Sequence, residues 1–334
     1  MKIRPLPLLY SSLTGRPGIQ SMTGADGREG AIFTNLFDLF LIVTTIIFLV
    51  VIAFLLVALM RRAGRRQDGL ADEGVSHETA LRLMLYIWVG VTALILGVFA
   101  ILSFVADRNL YAATRFPQRE IEIRGHQWWW EVIYKNADPS KQIRTANELY
   151  LPAGVPVHIT LKSDDVIHSF WVPNLAGKQD LIPGRVNDII IRAERPGLYR
   201  GQCAEFCGLQ HAHMAMDVAV VSKTDFVDWE QRQRQPAPAP RTPLQLAGYN
   251  IFINRQCSSC HAITGTPASG SVAPDLTHVA SRASIGAGTF PMRTGHLYAW
   301  LADPQSAKPG NNMPTIGLEP SELHALVAYL ETLK

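Results

Sequence analysis

Cysteine is scarce in this chain, with four among 334 residues, at positions 203, 207, 257 and 260. All four fall in two short clusters, so none is left over for a structural disulfide framework. Cysteine use here reads as metal and cofactor chemistry. Charge is sparse too: charged residues make up 18% of the chain against a hydrophobic share of 48%, which points to a membrane portion. The formal net charge of +3 is too small to argue for nucleic acid. The length suggests two or three domains.

Two stretches have no charge at all. Leu39–Met60 is a run of 22 residues, 17 of them Leu, Ile, Val or Phe, and Leu83–Ala106 is a second run of 24. Each exceeds the ~20 residues that cross a bilayer as a helix, and such residues favour insertion by about 0.3–0.6 kcal/mol each near the centre. The spacing predicts a transmembrane hairpin over 33–107, with helices at about 36–60 and 82–106. Asp38 sits at the edge of the first run, within reach of headgroups or water. The connection carries Arg61, Arg62, Arg65, Arg66 and Arg82, so it is expected on the cytoplasmic side. Both termini then lie outside, in the periplasm of a Gram-negative cell. Residues 1–32 read as an N-terminal arm that is disordered or outside the mature chain, because the apolar part of its signal-like start is short and broken by proline. Met22 is an alternative start.

Residues 115–228 alternate like half-buried strands. Ile121 and Ile123 form one apolar set, Val157, Ile159 and Leu161 another, and Met216, Val218 and Val220 a third. Gly and Pro punctuate them, as in a Greek-key sandwich or barrel. Near the end of this region runs Cys203-Ala-Glu-Phe-Cys-Gly-Leu-Gln-His-Ala-His-Met214. Thiolate, imidazole and thioether favour copper or zinc over magnesium or calcium. A mononuclear blue-copper site needs one Cys, so the second lets the segment bridge two metal ions. His168 is the obvious further imidazole. A Cys203–Cys207 disulfide and a two-Cys, two-His zinc site are the bland alternatives. His213 is the imidazole that the pattern does not need.

Residues 229–243 hold four prolines and no apolar periodicity, which predicts an extended, semi-rigid spacer. Beyond it, in 244–334, a helix leads to Cys257-Ser-Ser-Cys260-His261, the haem c attachment pattern. A thioredoxin-like Cys-x-x-Cys would leave His261 unexplained and lacks a βαβ context. Met313, in Asn-Asn-Met-Pro, is the expected sixth iron ligand, with Met292, His278 and His296 as alternatives. Leu323, Leu326, Val327, Leu330 and Leu333 mark a closing helix by their 3.6-residue spacing; Tyr329 lies beside them.

The Cys203–Met214 segment resembles the dinuclear copper (CuA) loop of cytochrome c oxidase subunit II, Cys-x-Glu-x-Cys-x-x-x-His-x-x-Met, at every position. Gly125-His-Gln-Trp-Trp-Trp and Lys178-Gln-Asp-Leu-Ile-Pro-Gly-Arg185 are similar to two further segments of that family, the latter facing subunit I. With the attached cytochrome, the resemblance is to the caa3-type variety and covers roughly residues 33–334. It implies a multidomain membrane protein with a two-helix transmembrane hairpin, an all-β cupredoxin-like Greek-key domain and an all-α cytochrome c domain. It implies copper ligation by His168, Cys203, Cys207, His211 and Met214, with Glu205 through its carbonyl. The Glu205 carboxylate would also reach a magnesium shared with subunit I. Trp128 would be an exposed electron inlet, and Glu78 is the nearest candidate for the acidic residue guarding proton uptake, though its flanks depart from the family pattern. Haem c would be held by Cys257, Cys260, His261 and Met313.

The implied function is the electron inlet of a proton-translocating haem–copper oxidase in the cell inner membrane. Electrons would pass from an external cytochrome or a quinol–cytochrome c reductase to haem c, to the copper pair, and to haem a in subunit I, where oxygen becomes water; subunit III completes the partners. Tethering makes the haem-to-copper step intramolecular, at an effective concentration of order mM. A copper-containing nitric oxide reductase subunit and a free-standing membrane electron carrier are the rival readings. Nitrous oxide reductase needs a propeller for which this chain has no room, and a quinol oxidase subunit would lack the copper ligands.

Overall fold

The computed structural model describes residues 18–22, 24–65, 76–114 and 116–334. It divides into a helical unit, Ala31–Ala113, and a larger unit of Met1–Gly30 with Thr114–Lys334. In the helical unit, α1 (Arg28–Arg65) and α2 (Ser76–Thr114) are longer than the expected 36–60 and 82–106. No proline interrupts either one, so backbone hydrogen bonding continues past the apolar run into its polar flanks. Apolar side chains stand exposed all round, as with Phe54 at 63% and Leu94 at 67%. That is the surface of a helix solvated by lipid. Glu78 pairs with Arg82 at 2.6 Å across one exposed turn. Of the arginines expected between the two runs, Arg61, Arg62 and Arg65 end α1 and Arg82 lies in α2, while Arg66 and the rest of 66–75 lie outside the described residues, as do residues 1–17 and 23 of the arm.

In the larger unit a five-stranded sheet runs in the order β3 (Ile143–Ala146), β2 (Trp129–Tyr134), β1 (Arg119–His126), β5 (Pro156–Ser163), β8 (Asn187–Arg192). A three-stranded sheet is ordered β4 (Glu148–Pro152), β10 (Ala215–Val221), β9 (Gly197–Gln202), and β6 (His168–Phe170) pairs with β7 (Gln179–Leu181). The pairs β1–β5 and β4–β10 are parallel and the others antiparallel, so the sheets are mixed. The period-2 pattern works as alternation should: Val157, Ile159 and Leu161 are buried while their neighbours in β5 are half-exposed. With Ile121, Ile123, Met216, Val218 and Val220 they form one core, each aliphatic side chain contributing about 1.5–3 kcal/mol.

The arm and the spacer both differ from expectation. Residues 18–30 pack on the β domain: Ile19 O accepts from Arg200 N at 2.9 Å, and Gly27 bridges to Ala193. The spacer is shorter than 229–243, because α3 (Lys223–Gln233) runs into it. Ser222 caps that helix, and Phe226, Trp229 and Glu230 are buried along one face; Trp229 stacks on Tyr150 at 4.5 Å. What remains is anchored at both ends: Arg234 Nε donates to Lys141 O at 3.2 Å and Ala237 N to Thr264 O at 2.9 Å.

The C-terminal domain is mostly helical. It contains α4 (Pro243–Asn254), α5 (Cys257–Cys260), the short pair β11 (Ser284–Ile285) and β12 (Phe290–Pro291), α6 (Thr294–Ala302), α7 (Pro304–Ala307) and α8 (Pro320–Leu330). Thr242 and Gln245 form a capping box on α4. Helices α4 and α8 cross at Gly248, where a Cβ would lie 2.0 Å from Ala325 O. Tyr329 fills the crossing against Tyr249 and Phe252. This domain rests directly on the β domain through Ala215 N to Ala287 O at 3.0 Å, Gln210 Nε2 to Pro309 O at 2.8 Å, and a buried Arg282–Glu148 pair at 3.8 Å. Contact between folded surfaces, rather than spacer length, therefore sets their separation.

Candidate metal centre and haem pocket

The copper-type ligands collect at one end of the β domain. His168 opens β6, Cys203 directly follows β9, and Met214 directly precedes β10. Cys203 N donates to Met214 O at 3.0 Å, closing the loop at its base, and Ala204 N donates to Ser169 O at 3.0 Å, tying it to β6. The two sulfurs face each other at 3.7 Å. Around them stand His168 Nδ1, 3.8 Å from Cys203 Sγ, His211 Nδ1, 3.5 Å from Cys207 Sγ, and Met214 Sδ, 3.9 Å from Cys207 Sγ. The Glu205 carbonyl accepts from Cys203 Sγ at 3.2 Å. All six residues named from the sequence converge. His213 is turned to Gln210, 2.8 Å away, and takes no part.

Local sequence explains this geometry. A Cβ on Gly125 would lie 2.6 Å from His168 Cδ2, so only glycine lets that imidazole stand there. Asp165 Oδ1, 2.8 Å from His168 Nε2, fixes the tautomer and leaves Nδ1 free to face sulfur. Burial works against a charged His168, but Asp165 and Cys203 outweigh it and raise its pKa. The close approach of the two sulfurs lowers the pKa of Cys203 and raises that of Cys207.

Both thiols are free, and their separation is far beyond the ~2.05 Å of a disulfide. A tetrahedral zinc site takes four ligands. Here three side chains and a carbonyl surround a sulfur pair, a donor set that fits two soft ions sharing both sulfurs.

The second site is a cavity of about 440 Å³. Cys257, Cys260, His261 and Met313 line it together with Phe252, Leu276, Val279, Leu297, Leu301 and Leu326. His261 Nδ1 donates to Pro274 O at 2.7 Å, which keeps Nε2 as the lone-pair nitrogen; burial lowers its pKa and holds the ring neutral. Asn311 Oδ1 accepts from Met313 N at 2.8 Å and Gln305 Nε2 donates to Met313 O at 2.7 Å, fixing that loop. His278 is held by Gln233 O and His296 by Pro291 O; neither they nor Met292 line the cavity. An apolar slot with two thiols and a neutral imidazole at its wall fits a covalently held haem.

Trp128 is not exposed. It retains 9% of its surface, lines the haem-type cavity, and donates from Nε1 to Cys207 O at 2.9 Å. The C-terminal domain covers it, with Gly310 against its ring. Trp129 stacks on His126 at 4.3 Å, and Trp130 is buried edge-on to His168. Asp165 and Lys308 escaped sequence reasoning. The Asp-x-x-His spacing could have suggested the first; nothing local marks the second, which is 2% exposed between the domains.

Lipid-facing helices, a copper-type sulfur pair and a haem-type cavity define a membrane-bound electron-transfer protein. The chain matches the family described as "Cytochrome C oxidase subunit II, periplasmic domain" over residues 120–221 and "Cytochrome c" over 245–334. Cytochrome c oxidase subunit 2 of Alkalihalophilus pseudofirmus is 31% identical over 341 residues, 99% of this chain and 96% of that one. The same subunit of Bacillus subtilis is 33% identical over 225 residues, 64% of this chain and 62% of that one. This chain belongs to the cytochrome c oxidase subunit II family. It is an electron-inlet subunit of a haem–copper oxidase complex, a multi-pass inner-membrane protein with periplasmic C-terminal domains. Its two matched domains are suited to copper and haem c.

Proposed function

We propose that this chain is a caa3-type subunit II that relays electrons from an external cytochrome or a quinol–cytochrome c reductase to subunit I, where oxygen is reduced to water with proton pumping. Bound at these two sites, haem c and copper would supply reversible one-electron chemistry. Cys257 and Cys260 would tether the haem, and His261 and Met313 would supply ligands to its iron. His168, Cys203, Cys207, His211, Met214 and the Glu205 carbonyl would hold the coppers in a loop already strung by its own hydrogen bonds, so that little would have to move on a change of charge.

The observation that carries this reading is the place of Trp128. Its indole lines the haem cavity and is hydrogen-bonded to the carbonyl of a copper-ligand residue. Trp128 is thus an inlet for the chain's own cytochrome rather than for a diffusing one. Glu205 is exposed, which suits a carboxylate shared through magnesium with subunit I, and Lys178–Arg185 would lie at the same contact; subunit III would complete the assembly.

Metal analysis with visible and electron-spin spectra of the purified complex tests the reading. Two coppers per iron and a mixed-valence copper signal are expected; zinc in their place would sink it.

A further inference from the structure

Lys308 reaches out of the C-terminal domain and is 2% exposed. Its ammonium has three donors and uses them on three carbonyls from distant segments, Trp128 O, His213 O and Gly286 O, each at 2.8 Å. These partners are dipoles, not a carboxylate. Burying a cation without a counter-ion is costly, and burial pulls the Lys308 pKa down to about 7; three carbonyls at 2.8 Å occupy all three donors of the protonated form, so its place calls for a gain beyond stability.

Each contact leads to one of the two sites. Trp128 is bonded through Nε1 to Cys207 O, and His213 precedes the ligand Met214. Gly286 begins a run of three left-handed residues, with φ of 63°, 59° and 78° at Gly286, Ala287 and Gly288; Ala287 O accepts from Ala215 N, at the start of β10. On its own side, Lys308 O accepts from Asn311 N at 3.2 Å and Nδ2 at 2.7 Å, and Asn311 in turn holds Met313 N. One hydrogen-bonded chain therefore runs from the haem-ligand loop through this ammonium to the copper loop.

Building on the functional reading above, we propose that Lys308 is the positioning residue of the haem-to-copper step. It pins the Met313 loop onto Trp128 and the copper loop, and it places a positive charge between the two centres. Tunnelling weakens exponentially with separation, so loosening this pin slows transfer even where both sites stay intact. The same lost charge lowers the reduction potential of haem c.

The test uses the full chain in detergent, with copper and haem content measured first. Lys308→Met keeps the side-chain length and removes all three donors. Its amide hydrogen exchange over 212–216 and 284–290 should rise about tenfold or more. Electron transfer from photoreduced haem c to copper should slow about tenfold or more, and the haem c potential should fall. Lys308→Arg retains the charge, but its planar fork cannot meet three converging carbonyls; it should keep the potential near wild type and slow transfer less. Wild-type exchange and rate in Lys308→Met would overturn the proposal. So would a lower unfolding temperature with rate and potential unchanged, the mark of a merely structural lysine. Should Lys308→Met not fold, a Lys308→Arg chain as fast as wild type would overturn it equally. A wild-type chain carrying both groups but showing no transfer between them would instead defeat the functional reading.

Discussion

Cys203, Cys207, His211 and Met214 come from twelve consecutive residues, whereas the haem cavity draws its wall from segments as far apart as Gln127 and Leu330. The copper cup is a loop that closes on itself, needing only His168 and its carboxylate partner from outside. The haem pocket is a volume left between α4, α6, α8 and the covering β domain. A cup assembled from local spacing should fail locally, through one displaced ligand; a volume held open by helix packing should fail as a unit.

Three changes sharpen that contrast. The largest effect is expected at the cup. Asp165→Ala frees the His168 ring from its fixed tautomer and should weaken copper binding about 10–100-fold, read by competition with a chelator, with haem attachment unchanged. Next comes the pocket: Gly248→Ala pushes a methyl into Ala325 O and should destabilise the helical domain by about 1–3 kcal/mol. Its thermal transition should fall while the copper spectrum persists; loss of copper instead would show that the two sites do not fail separately. The smallest effect belongs to Glu122, away from both sites. Burial pushes its pKa up, but hydrogen bonds from Lys162, Arg124 and Lys135 outweigh this and hold it at about 2. A depressed carboxylate stabilises the fold above its unfolded pKa and loses that contribution as pH falls from about 4.5 to about 2. Glu122→Gln should flatten the acid limb of β-domain unfolding in that window and change nothing near neutrality.

Legibility followed the same division. The ligand sets could be read as spacing, because a metal or a porphyrin constrains a few atoms within one or two turns of chain. Strand alternation through Ile121, Ile123, Val157, Ile159 and Leu161 was legible because burial on one face repeats every two residues. The end of the β domain was not: residues 229–233 look like spacer, but α3 runs through them with Phe226, Trp229 and Glu230 buried and Trp229 stacked on the distant Tyr150. Residues 18–30 likewise read as a loose arm because their partners, Asn174, Ala193 and Arg200, are more than 140 positions away.

Trp128 was identifiable as a residue but not as a relationship. By composition and spacing alone, this chain declares two lipid-spanning helices, a β domain with a soft-metal loop and a domain with a haem attachment site, since each rests on periodicity or on neighbours in the chain. Only the tertiary structure decided that the cytochrome domain lies on the copper domain, that Trp128 is enclosed between their sites, and that Lys308 joins them. Those facts depend on surfaces meeting across 180 residues of chain, and no local preference encodes which surface finds which.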